Sequence, residues 1–257
     1  MFDLGLTGKV AMITGGSDGL GFASAQRLAS EGCKIAICAR RQAHLDAAAE
    51  AIHAQTGADV LAVPADVSKA ADIEAFVTAT VTRFGGVDIL LNNAGTSAAA
   101  AFETVDDAAW QTDIDLKLMA SVRFCRHVIP LMRQRGGGAI VNATIVGGKA
   151  PAARALPTTV TRAAGINLTK SLANEYAAEN IRINTICIGL IKSAQWERRA
   201  GPDGVEALYA EMGQRIPLGR MGEAEEYADL AAFLVSQRAA FITGTAINLD
   251  GGMAAVV

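Results

Sequence analysis

Short runs of Val, Ile and other apolar residues alternate along the chain with longer stretches whose apolar positions recur at helical spacing. The short runs are Lys9–Thr14, Lys34–Ala39, Asp59–Pro64, Asp88–Asn92, Gly138–Ala143, Arg182–Ile188 and Ala246–Leu249, and they predict about seven strands. Between them the spacing predicts helices over Gly19–Glu31, Gln42–Thr56, Ala70–Phe84, Asp115–Arg135 and Thr161–Tyr176, with two more inside Asp203–Ser236. Strands that read as continuous apolar runs are buried on both faces, the habit of parallel sheets. Their alternation with helices implies right-handed crossovers and a doubly wound α/β sheet with helices on both faces. No composition break or internal repeat divides residues 1–257, so one domain is expected. The longest irregular stretch, at about 191–220, follows the sixth strand. Ligands of such sheets bind beyond the carboxyl ends of the strands, so this stretch is a candidate lid over a site.

Composition narrows the function classes. The chain has 257 residues, 51% hydrophobic and 19% charged, enough apolar side chain for a sizeable core. A net charge of −3 argues against nucleic-acid or anionic-membrane binding, which needs excess basic charge. No run approaches the ~20 apolar residues of a membrane span. The first residues, MFDLGLTGKV, carry no basic-then-apolar signal. Cys33, Cys38, Cys125 and Cys187 are too sparse for a disulfide framework and read as reduced thiols of a cytoplasmic protein. His44, His53 and His127 are scattered, so no metal is expected.

Candidate chemistry begins where the first strand meets the first helix. Thr14-Gly15-Gly16-Ser17-Asp18-Gly19-Leu20-Gly21 has the spacing TGxxxGxG in the strand-to-helix position. Glycines there permit a tight turn and close backbone approach, and a helix N-terminus favours a phosphate. A turn without a ligand is the plainer alternative. Together with Asp66-Val67-Ser68, Asn92-Asn93-Ala94-Gly95, Arg220-Met221-Gly222-Glu223, and Thr243-Gly244 through Asp250-Gly251-Gly252, this sequence resembles the short-chain dehydrogenases/reductases over nearly its whole length.

The resemblance implies a Rossmann domain binding NAD(P), in a homotetramer or homodimer. It implies that Gly15, Ser17, Asp18, Gly19, Leu20 and Gly21 surround the dinucleotide, that Asp66 bonds the adenine amino group and that Val67 lies beside the ring. Asn93, Ala94 and Gly95 would line the adenosine and ribose side, or Asn93 would brace strands four and five. An acid at the end of the second strand accepts bonds from a ribose 2′-OH, whereas Arg accommodates a 2′-phosphate. Here Ala39 is followed by Arg40, which favours NADP(H) over NAD(H). Asp18 opposes this, since its charge repels a phosphate unless it pairs with Arg40.

The resemblance also implies an Asn-Ser-Tyr-Lys catalytic set, and this sequence departs from it at each slot. Ile140–Gly148 aligns with a stretch usually reading IVNISSVAG, so Ile145 stands in the Ser slot. Thr158 stands in the Tyr slot, Arg162 in the Lys slot and Asp115 in the Asn slot. Thr is far less acidic than a phenol, Arg does not release its proton, and Ile cannot hydrogen-bond. Thr144, next to the Ser slot, faces the other way while the strand continues. Arg162 would then polarise an oxyanion, with Asp115, if burial raises its pKa, or water as proton source. Lys117, Lys149 and Lys192 fall near the expected mouth; with Arg162 they would favour an anionic substrate, although each lysine also reads as a surface cation. Three functions fit: an NADP(H) oxidoreductase with a rebuilt proton pathway acting on a small carbonyl, alcohol or enone; a non-redox lyase or isomerase; and an NADP(H)-sensing binding protein. Trp196 is expected to anchor the lid or to stack on substrate.

Overall fold

The strands are Val10–Thr14 (β1), Lys34–Ala39 (β2), Val60–Pro64 (β3), Ile89–Asn92 (β4), Gly138–Ile145 (β5), Ile181–Ile188 (β6) and Ala246–Leu249 (β7). In this computed structural model, which describes residues 3–198, 200 and 204–256, they pair in parallel in the order β3-β2-β1-β4-β5-β6-β7. Period-two alternation sends successive side chains to opposite layers. Val10 and Met12 pack with Phe76 and Phe124, while Ala11 and Ile13 pack with Leu28 and Tyr227. The first layer holds helices Ala70–Phe84 (α3), Ala120–Gln134 (α5) and Thr158–Tyr176 (α6); the second holds Gly19–Ser30 (α1), Gln42–Thr56 (α2) and Ala224–Val235 (α9). The expected single-domain Rossmann sheet is the one observed.

Sheet order reverses between β1 and β4, which run to neighbours on opposite sides. Crossovers leave in opposite directions there, opening a crevice at the strands' carboxyl ends. Three local departures from the sequence reading bear on this crevice. β5 runs on to Ile145 rather than ending at Ala143, carried by register with β6 through the Ile145–Ile188 pair. α6 begins at Thr158 rather than Thr161. The helix expected from Asp115 starts earlier, at Asp107–Ile114 (α4), and passes into α5 through a wider π-turn, Asp115–Met119. Such a turn inserts one residue and rotates the faces on either side of it.

The segment after β6 contains two short helices, Ala194–Glu197 (α7) and Gly204–Gly213 (α8). The candidate lid at about 191–220 includes residues 199 and 201–203, which lie outside the described residues, as does Asp203 at the start of the expected helical pair.

Candidate active site

A cleft of ≈ 620 Å³ occupies the crevice. Its walls come from the loop after β1, the ends of β2 and β3, the loop after β4, the end of β5, the start of α6 and the segment after β6. Gly15, Ser17, Asp18, Gly19, Leu20, Arg40, Asp66, Val67, Asn93, Ala94 and Gly95 all line it. Gly21 does not, and serves the turn from behind. A Cβ on Gly21 would collide with the Gly15 carbonyl and come within 2.7 Å of the Asn93 amide nitrogen. Gly15 itself adopts φ +69°, open to glycine without cost.

Thr14 ties the turn to β4. Its hydroxyl accepts from the Asn93 and Ala94 amides, each at 2.9 Å, and the Asn93 side chain donates to the Thr14 carbonyl at 3.2 Å. Asn93 thus braces β1 rather than β5. The bond from β4 to β5 is made by its neighbour Asn92, donating to Asn142 at 2.8 Å. Asp66 accepts from the Ser68 hydroxyl at 2.7 Å and the Ser68 amide at 3.0 Å. The hydroxyl bond, working against burial, holds its carboxyl below the usual carboxylate range, with the Arg40 charge contributing.

Asp18 does not pair with Arg40. Its carboxylate accepts from the Gly19 amide at 2.8 Å and caps α1, the ordinary use of an Asp at an N-cap. Arg40 and Arg41 both line the cleft from the end of β2. The glycine cradle and the helix N-terminus fit a nicotinamide dinucleotide.

The far end of the cleft is built on α6. Thr158 and Arg162 stand four residues apart, so they share one helix face, and both line the cleft. Arg162 donates through Nη1 to the Ala143 carbonyl at 2.7 Å, at the end of β5. Its Nε is enclosed with no hydrogen-bond partner among the described residues. A Cβ on Gly95 would collide with Nη2, so the glycine of the β4 loop makes room for this guanidinium. Burial pushes its pKa down and the nearby Asp113 charge pushes it up; a guanidinium keeps its proton throughout.

Beneath Thr158 lies a buried polar cluster. Lys117, with its side chain 0% exposed, is ion-paired to Asp113 and donates to the Thr158 hydroxyl at 2.8 Å. Thr161 donates to the other Asp113 oxygen at 2.6 Å. The Thr158 hydroxyl also accepts from the Ala98 amide at 3.0 Å.

Several sequence expectations are redirected here. Asp115 is not brought to the cleft: it accepts from Gln111 at 2.8 Å and from Arg123 at 3.0 Å on the outer side of the π-turn. Thr144 reaches the wall, but its hydroxyl turns to β6, within 3.2 Å of the Cys187 sulfur. Because β5 continues through it, Ile145 faces the opposite way and presents an apolar surface to the cleft. Lys149 bonds the Ala246 carbonyl and Asn248 on β7, at 2.6 and 2.7 Å. Lys192 pairs with Glu223 at 2.6 Å and lies over the Tyr209 ring. Of the four expected cations only Arg162 lines the cleft, while Lys117 sits behind its wall.

The sequence reading did not single out Asp113 or the buried role of Lys117. A signal was present: Lys117 precedes Ser121 by four and Phe124 by seven residues, and all three are buried on one face. Over the cleft mouth, Gln195 donates to Thr96 at 2.8 Å, joining the segment after β6 to the loop after β4. Trp196 packs on the Tyr209, Met212, Ile216 and Met221 cluster, so it anchors that segment while also lining the cleft.

Comparison with known proteins agrees with this architecture. The family described as Enoyl-(Acyl carrier protein) reductase matches residues 15–254. Dehydrogenase/reductase SDR family member 4 of Oryctolagus cuniculus is 34% identical over 252 residues, covering 96% of this chain and 94% of the relative. Among solved structures, L-sorbose reductase from Gluconobacter frateurii, complexed with NADPH and L-sorbose, is 36% identical with TM-score 0.96 over 100% of both chains. A short-chain oxidoreductase from Pseudomonas aeruginosa PAO1, described as containing an atypical catalytic center, is 33% identical with TM-score 0.93, over 98% of this chain and 100% of that one. The chain belongs to the short-chain dehydrogenase/reductase family. It is an oxidoreductase of that family.

Proposed function

We propose that this chain is an NADP(H)-dependent oxidoreductase that interconverts a small carbonyl or enone compound and its reduced form through a proton pathway without a phenol. The observation that carries the reading is one continuous cleft, with the glycine turn, Arg40 and Arg41 at one end and Thr158 with Arg162 at the other. Gly15 to Leu20 would hold the pyrophosphate against the α1 N-terminus, and Arg40 the ribose phosphate. Asp66 and Val67 would seat the adenine, and Asn93 to Gly95 the ribose side. A reduced nicotinamide, when bound, supplies the hydride.

The chain's own residues do the rest. Arg162 brings a permanent positive charge to the place where a carbonyl oxygen becomes negative. Two buried cations, Lys117 and Arg162, face one carboxylate, Asp113, so the site carries a net positive charge suited to an oxyanion or an anionic substrate. The chain's three tyrosines, Tyr176, Tyr209 and Tyr227, pack into three separate apolar clusters and none lines the cleft. The Gln195–Thr96 bond ties the start of the segment after β6 to the loop after β4 and supports a lid there, whose closure would exclude water. Assembly as a homotetramer or homodimer, and residence in the cytoplasm, belong to the same reading.

The test is a pair of titrations and a turnover panel. NADPH should bind more tightly than NADH, and some ketone, enone or acyl thioester should consume it. Tight NADPH binding with no consumption by any of them would move the assignment to a dinucleotide-sensing protein. Product formed without cofactor consumption would move it to a lyase or isomerase on the same scaffold.

A further inference from the structure

Among the described residues, one buried ion pair touches the wall of the cleft: Asp113 with Lys117. A lysine fully removed from water is costly unless the fold uses or compensates it. Asp113 compensates the charge, and Thr161 fixes the carboxylate from α6. The remaining Lys117 contact is the one that matters: Nζ donates to the Thr158 hydroxyl at 2.8 Å.

The Thr158 hydroxyl has two lone pairs and one proton. Its lone pairs are taken by the Ala98 amide and by Lys117. Its proton is therefore left to donate outwards, and the open volume beside Thr158 is the cleft. A hydroxyl that accepts from an ammonium while donating into a substrate pocket has the polarity of a proton wire.

Resting on the oxidoreductase reading above, we propose that Lys117 is the proton source of the reaction, acting through the Thr158 hydroxyl, with Asp113 as the positioning residue that holds it. In the reducing direction, hydride from a reduced nicotinamide dinucleotide adds to the carbonyl carbon and the C=O π pair passes to oxygen. That oxygen takes the Thr158 proton as the new O–H forms. Thr158 Oγ1 takes a proton from Lys117 Nζ in the same event, so the threonine never bears a net charge. Lys117 is left as a neutral amine beside the Asp113 carboxylate. As the alcohol leaves, water entering the cleft relays one proton from bulk solvent through the same hydroxyl back to Lys117, so that the turnover consumes one solvent proton. Thr158 touches substrate and is the catalytic residue; the low acidity of its hydroxyl is no obstacle, because it shuttles and does not ionise.

The groups facing Lys117 agree with this use. Asp113 from α4 favours the ammonium; Arg162 from α6, together with burial, disfavours it, and Thr158 and Thr161 are neutral. Burial is the largest influence and moves the lysine below its ordinary value. Carbonyl reduction should therefore fall as pH rises through that lowered value, because the ammonium is the donor. Alcohol oxidation should rise over the same interval.

The experiment uses the full chain with NADPH and four probe carbonyls: L-sorbose, 2,3-butanedione, cyclohexenone and acetoacetyl-CoA. Thr158→Ser keeps the hydroxyl and should keep the reduction rate within a few-fold, whereas Thr158→Val keeps the shape and should lose ~100-fold or more, with NADPH affinity unchanged. A role in packing alone reverses that order. Lys117→Met should lose as much and abolish the alkaline limb; Asp113→Leu/Lys117→Met removes both charges together, should fold, and should show the same loss. Independently of turnover, the ε-carbon of Lys117 in ¹³C-lysine-labelled protein should titrate below the ordinary lysine value, and lower still in Thr158→Val, where the ammonium loses an acceptor. Wild-type turnover with an unchanged Thr158→Val rate, or a Lys117 titration indifferent to Thr158→Val, overturns the relay and leaves the oxidoreductase reading standing. NADPH binding without consumption by any probe overturns that reading first and the relay with it.

Discussion

Arg40 and Asp18 set opposite charges at the place where a ribose phosphate and a pyrophosphate would sit. Arg40 has no ion pair among the described residues, whereas Asp18 has given its carboxylate to the Gly19 amide. The physical expectation is that Arg40 decides the cofactor and Asp18 weakens it. A charge-assisted bond contributes ~1.5–3 kcal/mol, so Arg40→Asp should cost NADPH ~10- to 100-fold in affinity and leave NADH the tighter ligand. Fluorescence titration of both dinucleotides checks this, and an unchanged order would remove Arg40 from the phosphate site. Asp18→Ser keeps a capping oxygen and removes a charge. NADPH should then bind ~5-fold more tightly while thermal stability stays within about 1 kcal/mol. Arg162→Met tests the other end: consumption of NADPH should drop ~100-fold as the oxyanion partner is lost. A variant that turns over normally would leave Arg162 with packing alone.

At the scale of elements, the alternation of strands and helices was legible because each strand is buried on both faces and reads as an apolar run. The start of α6, the continuation of β5 to Ile145 and the π-turn at Asp115–Met119 were not legible. Contacts distant in sequence accompany two of them: β5 keeps register with β6 to Ile145, and at the π-turn Lys117 pairs with Asp113, which Thr161 of α6 also holds. The dinucleotide end was readable from local motifs because backbone turns make it. The chemical end escaped because Lys117, Thr158 and Asp113 converge from two helices far apart in the chain. Asp115 illustrates the difficulty: two residues from Lys117, it points outwards to Arg123. The entry of α9 shows local logic at its plainest. Glu223 and Glu226 form a reciprocal capping box, and Arg220 grips Glu226 in a two-bonded fork at 2.8 and 2.6 Å. Arg220, with the Glu223 amide, holds the Glu226 carboxyl down at about 2. Glu226→Ala should cost about 1 kcal/mol and lower the melting temperature by ~2–4 °C, measured by calorimetry. No loss would mean that α9 is held by its packed face alone.

Across the whole molecule, the two apolar layers and the crossover point are joined by a few buried polar ties. Asp88, 5% exposed at the foot of β4, accepts from the Val10 amide at 2.8 Å and from a two-bonded Arg135 fork at 2.9 Å. Burial works to raise its pKa, yet the Arg135 fork and the Val10 amide outweigh it and hold the carboxyl below the usual range. A depressed carboxylate stabilises the fold above its unfolded value of ~3.9, and that contribution is lost as pH falls through the lower folded value. Asp88→Asn should therefore destabilise by ~3 kcal/mol at neutral pH, with the gap from wild type closing in acid. Urea unfolding at several pH values reads this directly; a constant gap would show that the charge of Asp88 is not what matters.

A nucleotide cradle shared with the family would deliver its cofactor to a proton path made of threonine and lysine. A single-turnover record at 340 nm tests it most directly, comparing wild type and Thr158→Val, each preloaded with NADPH and mixed with a consumable carbonyl. Both proteins should hold NADPH equally, and only the wild type should consume it on the catalytic timescale. Equal consumption by the two would contradict it.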